Sequence, residues 1–373
     1  MRIFLVGGGT GGATAPLLAV GEALASMHRD IEFFVIGAGG VEKRMLGNLH
    51  VPVHYLSIPA GKWRRYASFW NFIDIFKTVF GFFRSLYLVR KYRPDIVFGA
   101  GSFVQVPVSW AAFFFKVPVV IHQQDLPLLL SNKLTCLIAQ AITVSFSYSN
   151  QKLPEFSGLF KKIAKSKITV TGNPVRKEVL GGSAEQAKEL FNLNDKYPTV
   201  LVTGGSIGAQ SLNRLLKASL PELVKYTQVI HVTGGKESDK KPFIYPNYHS
   251  YEFLGAELKH AYAVADLVVS RGGMSTVTEL SRLGKPAIIV PLPHSPQEEN
   301  ARFLAYCKAA VVVFEEFLNP DLLLSLVRKV LWSKEIQETL RANIQKLNPL
   351  DADKRIAKII LKACKQAREN ARD

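Results

Sequence analysis

Twice along this chain a short apolar strand runs into a glycine-rich turn that opens a helix, and this repetition restricts the fold more than any other feature. Residues 2–6 lead into Gly7-Gly8-Gly9-Thr10-Gly11-Gly12 and then a helical pattern over 15–26. Residues 199–202 lead into Gly204-Gly205-Ser206-Ile207-Gly208-Ala209 and then a helical pattern over 210–220. Further short β-rich runs follow, at 31–36, 95–98 and 117–121 in the first half and at 228–232, 267–270 and 287–290 in the second. Strands alternating with helices imply parallel sheets, because a parallel connection needs a crossover long enough to hold a helix. The expectation is an α/β chain of two Rossmann-like, doubly wound domains, each with ligand-binding loops at the carboxyl ends of its strands and facing a shared cleft. A length of 373 residues suits two domains. The join is expected near Thr171-Gly172-Asn173-Pro174-Val175-Arg176 and the glycines that follow. That gives domains of 1–166 plus 353–373 and of 167–352, with a last helix over 354–368 packing back on the first.

The charge says what such loops would meet. Lys and Arg number 47 against 30 Asp and Glu, a formal net charge of +17, which favours phosphate-bearing partners. Cys136, Cys307 and Cys364 show no CxxC spacing, which argues against a disulfide framework or zinc site and suits a reducing, cytoplasmic compartment. No run of about 18 apolar residues is present to span a bilayer. Neither a metal nor a cofactor is expected.

Basic and aromatic residues interleave from Lys62-Trp63-Arg64-Arg65-Tyr66 through Trp70, Phe72, Phe76, Phe80, Phe82, Phe83 and Tyr87 to Arg90. That mixture suits a helix lying in a lipid interface, with Trp110 and Phe113-Phe114-Phe115-Lys116 on the same face. Some of these rings must also serve the domain core. RNA is the other partner of basic-aromatic surfaces, but no recognisable RNA module appears, so no nucleic acid is expected.

Glycines let a backbone approach a ligand closely, and a helix N-terminus offers unpaired N–H groups to an anion. Gly7, Gly9 and Gly12 satisfy a dinucleotide fingerprint, but the second strand lacks the acidic residue that would hold a ribose. No GK[ST] triplet exists, which excludes a P-loop. Two anion loops, one per domain, point to two phosphate-bearing ligands, unless the glycines serve only tight turns. A helix opening near Ser275 places Glu279 about one turn in, where its carboxylate can accept two ribose hydroxyls or simply face solvent.

In order, GGGTGG, GAGSFVQVP, HQQD, NKL, TGNPVR, GGSIGAQSLN, SRGGMSTVTE and QEENA resemble the MurG family of peptidoglycan glycosyltransferases over nearly the whole chain. The resemblance implies a GT-B fold and metal-independent transfer of N-acetylglucosamine from UDP-N-acetylglucosamine to an undecaprenyl-diphosphate-linked muramyl-pentapeptide. The first domain would take acceptor and membrane, at the cytoplasmic face of the plasma membrane, and the second the UDP-sugar. It implies diphosphate contacts for Arg176 and Ser206, a backbone contact to uracil at Leu254, and ribose binding by Glu279. Gln297 and Asn300 match the segment touching the donor sugar, and Thr276 lies on the helix facing the phosphate. Thr10, Gly11, Gly12 and Ser102 would form the acceptor's phosphate loop, and Trp63, Trp70, Phe76 and Phe82 the membrane patch. The acceptor side departs from the family: its histidine after GGTGG is Ala13 here, its GGY loop is Gly101-Ser102-Phe103, and its HEQN is His122-Gln123-Gln124-Asp125. Alanine cannot take a proton, so Asp125, then His122, are the candidate bases. A related UDP-sugar transferase, an epimerase and a silent binding protein stay open.

Overall fold

The computed structural model describes all residues except 10, 40–42, 44–51, 62–68, 147–164, 206–208, 235–244 and 371–373; for 69–73 and 165 it describes the backbone alone. The chain divides into two compact units, Met1–Val175 with Pro349–Asp373, and Arg176–Asn348.

The first unit holds a seven-stranded parallel sheet: β1 (Arg2–Val6), β2 (Glu32–Gly37), β3 (Val53–Ser57), β4 (Ile96–Gly99), β5 (Val119–Gln123), β6 (Ala141–Val144) and β7 (Ile168–Val170). Their order across the sheet is β3-β2-β1-β4-β5-β6-β7. The central strands are buried on both faces, which is why they read as unbroken apolar runs rather than alternating ones. Phe4 lies between Phe34 and Val97 in register.

Helix α1 (Gly11–Met27) begins four residues earlier than the periodicity suggests, because the glycines themselves form its first turn. The chain continues through α2 (Phe69–Tyr92), α3 (Gln105–Phe114) and the short α4 (Leu130–Thr135). The last helix, which we label α12 (Ala352–Asn370), closes one face of this sheet with Ile356, Ala357 and Ile360 beside Leu17, Val20 and Leu24 of α1. Arg368 on it donates to Asp95 Oδ1 at 2.7 Å. Strand β7 completes this sheet by pairing with β6, so the first unit runs to Val175 rather than ending at 166. Three residues are too few for periodicity to reveal.

The second unit repeats the plan with six parallel strands: β8 (Thr199–Thr203), β9 (Gln228–Val232), β10 (Tyr248–Tyr251), β11 (Leu267–Ser270), β12 (Ala287–Ile289) and β13 (Val311–Val312), ordered β10-β9-β8-β11-β12-β13. Its helices are α5 (Ala184–Leu190), α6 (Gln210–Leu223), α7 (Leu258–Val264), α8 (Met274–Leu283), α9 (Pro296–Tyr306), α10 (Pro320–Leu331) and α11 (Lys334–Gln345). In both sheets the strand order reverses direction of travel beside the first strand, at β1/β4 and at β8/β11. The loops leaving such a pair of strands splay apart and leave a crevice at their carboxyl ends. Among the described residues no helix is long and apolar enough to cross a membrane.

Candidate functional site

In the second unit the crevice is framed by the loop after β8 and by Arg271-Gly272-Gly273, which leads from β11 into α8. Gly205 adopts φ +77°, a left-handed turn conformation natural to glycine. Ser206 lies outside the described residues. Helix α8 has no acidic residue in its first turn and no side-chain cap at Gly273, so its N-terminus suits an anion; Thr276 is half-buried there.

Glu279, 5% exposed, projects from the second turn of α8. Arg176 Nη2 donates to its Oε1 at 2.7 Å, and Nε reaches the same oxygen at 3.3 Å. The Tyr262 hydroxyl donates to Oε2 at 3.0 Å from α7. Burial alone would weaken Arg176's hold on its proton, but Glu279 more than offsets it and the guanidinium is held above its ordinary value. Burial first, then Glu279's charge, holds the Tyr262 phenol well above its own.

Helix α9 starts with Ser295 capping Gln297 N–H at 3.2 Å and Pro296 in its first turn. Half-buried Gln297 accepts from Leu292 N–H through Oε1 at 3.0 Å. Asn300 is almost fully buried, with Nδ2 donating to the Gly272 carbonyl at 3.0 Å, so it braces the loop that precedes α8. Leu254 follows β10 with its side chain buried. Arg271 is a buried tie: its guanidinium donates to the Val290 and Pro291 carbonyls, to Glu315 and to Ser211 Oγ on α6.

In the first unit Gly9, at φ +85°, has the Phe103 ring against it where a Cβ would lie 2.7 Å from Cε1, so the loops after β1 and β4 meet face to face. Gly11 and Gly12 form the first turn of α1, with Ala13 buried beside them; Thr10 lies outside the described residues. Ser102 is buried, and its Oγ accepts the Val104 N–H at 3.1 Å, a turn contact at the start of α3. Asp125 is half-buried in the loop after β5.

A chain of buried amides fixes these loops. Gln105 accepts from Gly101 N–H at 2.8 Å and donates to Asn132 Oδ1 at 2.8 Å. Asn132 Nδ2 donates to Gln123 Oε1 at 2.6 Å, and Gln123 Nε2 to the Asp125 carbonyl at 2.7 Å.

His122 is fully buried on β5, with Nδ1 2.9 Å from Thr143 Oγ1 and Nε2 3.0 Å from Asn173 Oδ1. Burial lowers its pKa to about 4, against the weaker opposing pull of hydrogen bonding to Asn173 and to the Thr143 backbone. A neutral ring with both nitrogens engaged and no exposed edge is a structural histidine, which leaves Asp125, the first candidate, as the expected base.

His231 on β9 is similar, 2.8 Å from Tyr248 Oη and 3.0 Å from Asn213 Oδ1, and burial followed by the Lys217 charge lowers it to about 4. Both rings take a proton more readily in the unfolded chain, near the ordinary 6.5, than in the folded one. Stability is therefore fully present above pH 6.5 and falls as pH drops toward 4, by about 3 kcal/mol for each ring. Calorimetric unfolding should show proton uptake across that window; its absence would mean the rings are already charged when folded.

Sequence reasoning reached Arg176, Glu279, Gln297 and Asn300 but missed Tyr262, the tie that Arg271 makes and the amide chain, although Gln105, Gln123 and Asn132 stand in GAGSFVQVP, HQQD and NKL. Among the described residues no group of three or more His, Cys, Asp or Glu is arranged to hold a metal.

The model of the glycosyltransferase family 28 N-terminal domain matches residues 3–144, and that of the family 28 C-terminal domain matches 199–356. The Treponema denticola UDP-N-acetylglucosamine–N-acetylmuramyl-(pentapeptide) pyrophosphoryl-undecaprenol N-acetylglucosamine transferase is 34% identical over 355 residues, 90% of this chain and 89% of its own. The Legionella pneumophila (strain Paris) protein of the same name is 34% identical over 345 residues, 91% of this chain and 92% of its own. Acinetobacter baumannii MurG superposes with a TM-score of 0.70 at 23% identity, over 97% of this chain and 99% of that one. The Neisseria meningitidis UDP-GlcNAc 2-epimerase bound to UDP-GlcNAc gives 0.70 at 16% identity, over 97% and 100%. The fold is GT-B. Two family models spanning most of the sequence, with relatives a third identical along nine-tenths of it, place the chain in the MurG family of glycosyltransferases.

Proposed function

We propose that this protein is an inverting hexosyltransferase that moves N-acetylglucosamine from UDP-N-acetylglucosamine to undecaprenyl-diphosphate-linked N-acetylmuramyl-pentapeptide, converting lipid I to lipid II in peptidoglycan synthesis. The relatives' names support the substrates. The observation that carries the donor half is the Arg176–Glu279 pair beside the uncapped start of α8. There Glu279 binds the ribose hydroxyls, while Arg176 and the α8 N-terminus stabilise the diphosphate. Gln297 holds the sugar, and Asn300 holds the Gly272 loop against it.

The acceptor hydroxyl attacks the anomeric carbon as the bond from that carbon to the UDP oxygen breaks. The hydroxyl's proton passes to Asp125, and the electron pair of the broken bond stays on the departing UDP oxygen, whose added negative charge Arg176 stabilises. The second unit is the donor domain and the first the acceptor domain, with Gly11 and Gly12 at the acceptor's diphosphate.

Transfer of labelled N-acetylglucosamine to polyprenyl-diphosphate muramyl-pentapeptide, run in EDTA, tests this. Product with inverted anomeric configuration is expected. Epimerised UDP-sugar, or donor binding without transfer, would overturn it.

The protein acts peripherally, on the cytoplasmic face of the plasma membrane. Phe76, Phe80, Phe83 and Tyr87 recur at helical spacing along α2 and are at least half exposed, as are Phe113 and Phe114 on α3. Arg84, Arg90, Lys91 and Lys116 lie exposed among them. Large exposed rings with cations around them suit an anionic lipid surface. Phe82 does not belong to that face: it is half-buried, packed on the sheet's core and 5.9 Å from the Phe114 ring. A single helical position turned the ring inward. Trp63 and the Trp70 side chain lie outside the described residues. Replacing Phe80, Phe83 and Phe114 together with Ser should weaken binding to phosphatidylglycerol vesicles at least about tenfold, each buried ring contributing about 1.5–3 kcal/mol, with Tm unchanged. A matching loss of Tm would show that these rings are core.

A further inference from the structure

We infer that Tyr262 is a positioning residue of the donor site: its hydroxyl fixes the rotation of the Glu279 carboxylate, and so makes the site select ribonucleoside over 2′-deoxyribonucleoside diphosphates. The inference rests on the reading of Glu279 as the ribose carboxylate.

A glutamate's terminal torsion is broad and roughly two-fold, so one anchor does not orient it. Arg176 supplies only one anchor, because Nη2 at 2.7 Å and Nε at 3.3 Å both reach Oε1. Around that point Oε2 is free to swing, and Tyr262 Oη at 3.0 Å is the second point that stops it. The phenol ring, on α7, is only 2% exposed, so it cannot follow the carboxylate if the carboxylate turns. Burial and the neighbouring negative charge keep the phenol protonated, so it remains a donor at any working pH.

An ionised carboxylate has about four acceptor directions, two on each oxygen. Arg176 takes up Oε1 with two donors and Tyr262 takes one direction on Oε2, leaving one direction on Oε2, which the tyrosine aims. We place the ribose 2′-hydroxyl there. A 2′-deoxyribose leaves one buried acceptor direction unpaired, which is how sites built for a hydroxyl reject analogues lacking it.

Calorimetric titration of UDP and of 2′-deoxy-UDP into the parent, Tyr262→Phe, Glu279→Gln and the double variant tests the idea. Phe keeps the ring and removes only the donor. The parent should prefer UDP. Tyr262→Phe should weaken UDP about 3- to 10-fold and 2′-deoxy-UDP less, so the preference shrinks; in the Glu279→Gln background it should cost nothing more. The preference is a ratio of two affinities, so partial unfolding of a variant does not alter it. Equal weakening of both ligands, or a further loss in the double variant, would make Tyr262 merely structural. A Tyr262→Phe protein with the parent's affinities would overturn the inference and leave the role of Glu279 standing. A parent that does not distinguish the two ligands would overturn both, and would do so before any substitution is made.

Discussion

Arg176→Ala is expected to lower kcat for sugar transfer by about 10²–10³-fold, with a smaller change in KM for UDP-N-acetylglucosamine. Negative charge accumulates on the departing diphosphate as the glycosidic bond breaks, so a cation there is worth more in the transition state than in the ground state. The same substitution strips Glu279 of the partner 2.7 Å from its Oε1. Leaving a buried carboxylate unpaired costs about 3–5 kcal/mol, less here because the Arg176 side chain is itself 22% exposed. Tm will therefore fall along with activity, and the two effects need separating. Arg176→Ala combined with Glu279→Gln should recover much of the stability and none of the rate. Arg176→Lys should recover little of either, since an ammonium cannot reproduce the guanidinium's fork. Steady-state kinetics beside calorimetry decide the matter: a change confined to KM would mean that Arg176 serves ground-state binding alone.

Asp125→Asn should cut kcat by about 10²–10⁴ while donor affinity stays within twofold or so. The residue lies in the loop after β5, where Gln123 grips its carbonyl and Asn132 grips Gln123. That grip on the Asp125 carbonyl orders the loop through its backbone. Asparagine preserves the shape and loses the proton acceptor, which is why it is the informative replacement. Ala13, buried in the first turn of α1, offers no group that could substitute. His122 offers none either, being neutral and enclosed between Thr143 and Asn173. An Asp125→Asn enzyme as fast as the parent would remove Asp125 from the chemistry.

The architecture was written in the chain because its cause is local. A strand, a glycine turn and a helix that occur twice are enough to require two parallel sheets, and both sheets carry those loops beside the strand where the order reverses. Positions 228–232 and 267–270 were legible to the residue, since a strand buried on both faces is mostly apolar. Strands β3, β6, β7, β10 and β13 were not: β3 and β10 are sheet-edge strands broken by polar residues, and β7 and β13 have only three and two residues. The site divides in the same way. Glu279 was placed by helical spacing, but its pairing with Arg176 spans 103 positions and its contact with Tyr262 spans 17, distances at which a sequence carries no geometric signal. Phe80 and Phe82 look alike in a run of aromatics; only the packed helix turns one to solvent and the other onto the sheet. Arg271 was read as part of a glycine motif, whereas its guanidinium ties the end of β12 to α6.

The helix over Ala352–Asn370 has a consequence for how the protein is made. The sheet face formed by Ile3, Leu5, Phe33 and Val35 is sealed partly by α1 and partly by Ile356, Ala357 and Ile360. Synthesis proceeds from the amino end, so the ribosome delivers the seal only after the whole of 176–348 has emerged. For that interval the nascent chain carries a greasy, half-covered sheet that native chemistry will later hide. A chain stalled or clipped before residue 356 would keep it bare, and would be expected to engage holdase chaperones or stick to its own copies while its second unit is already folded.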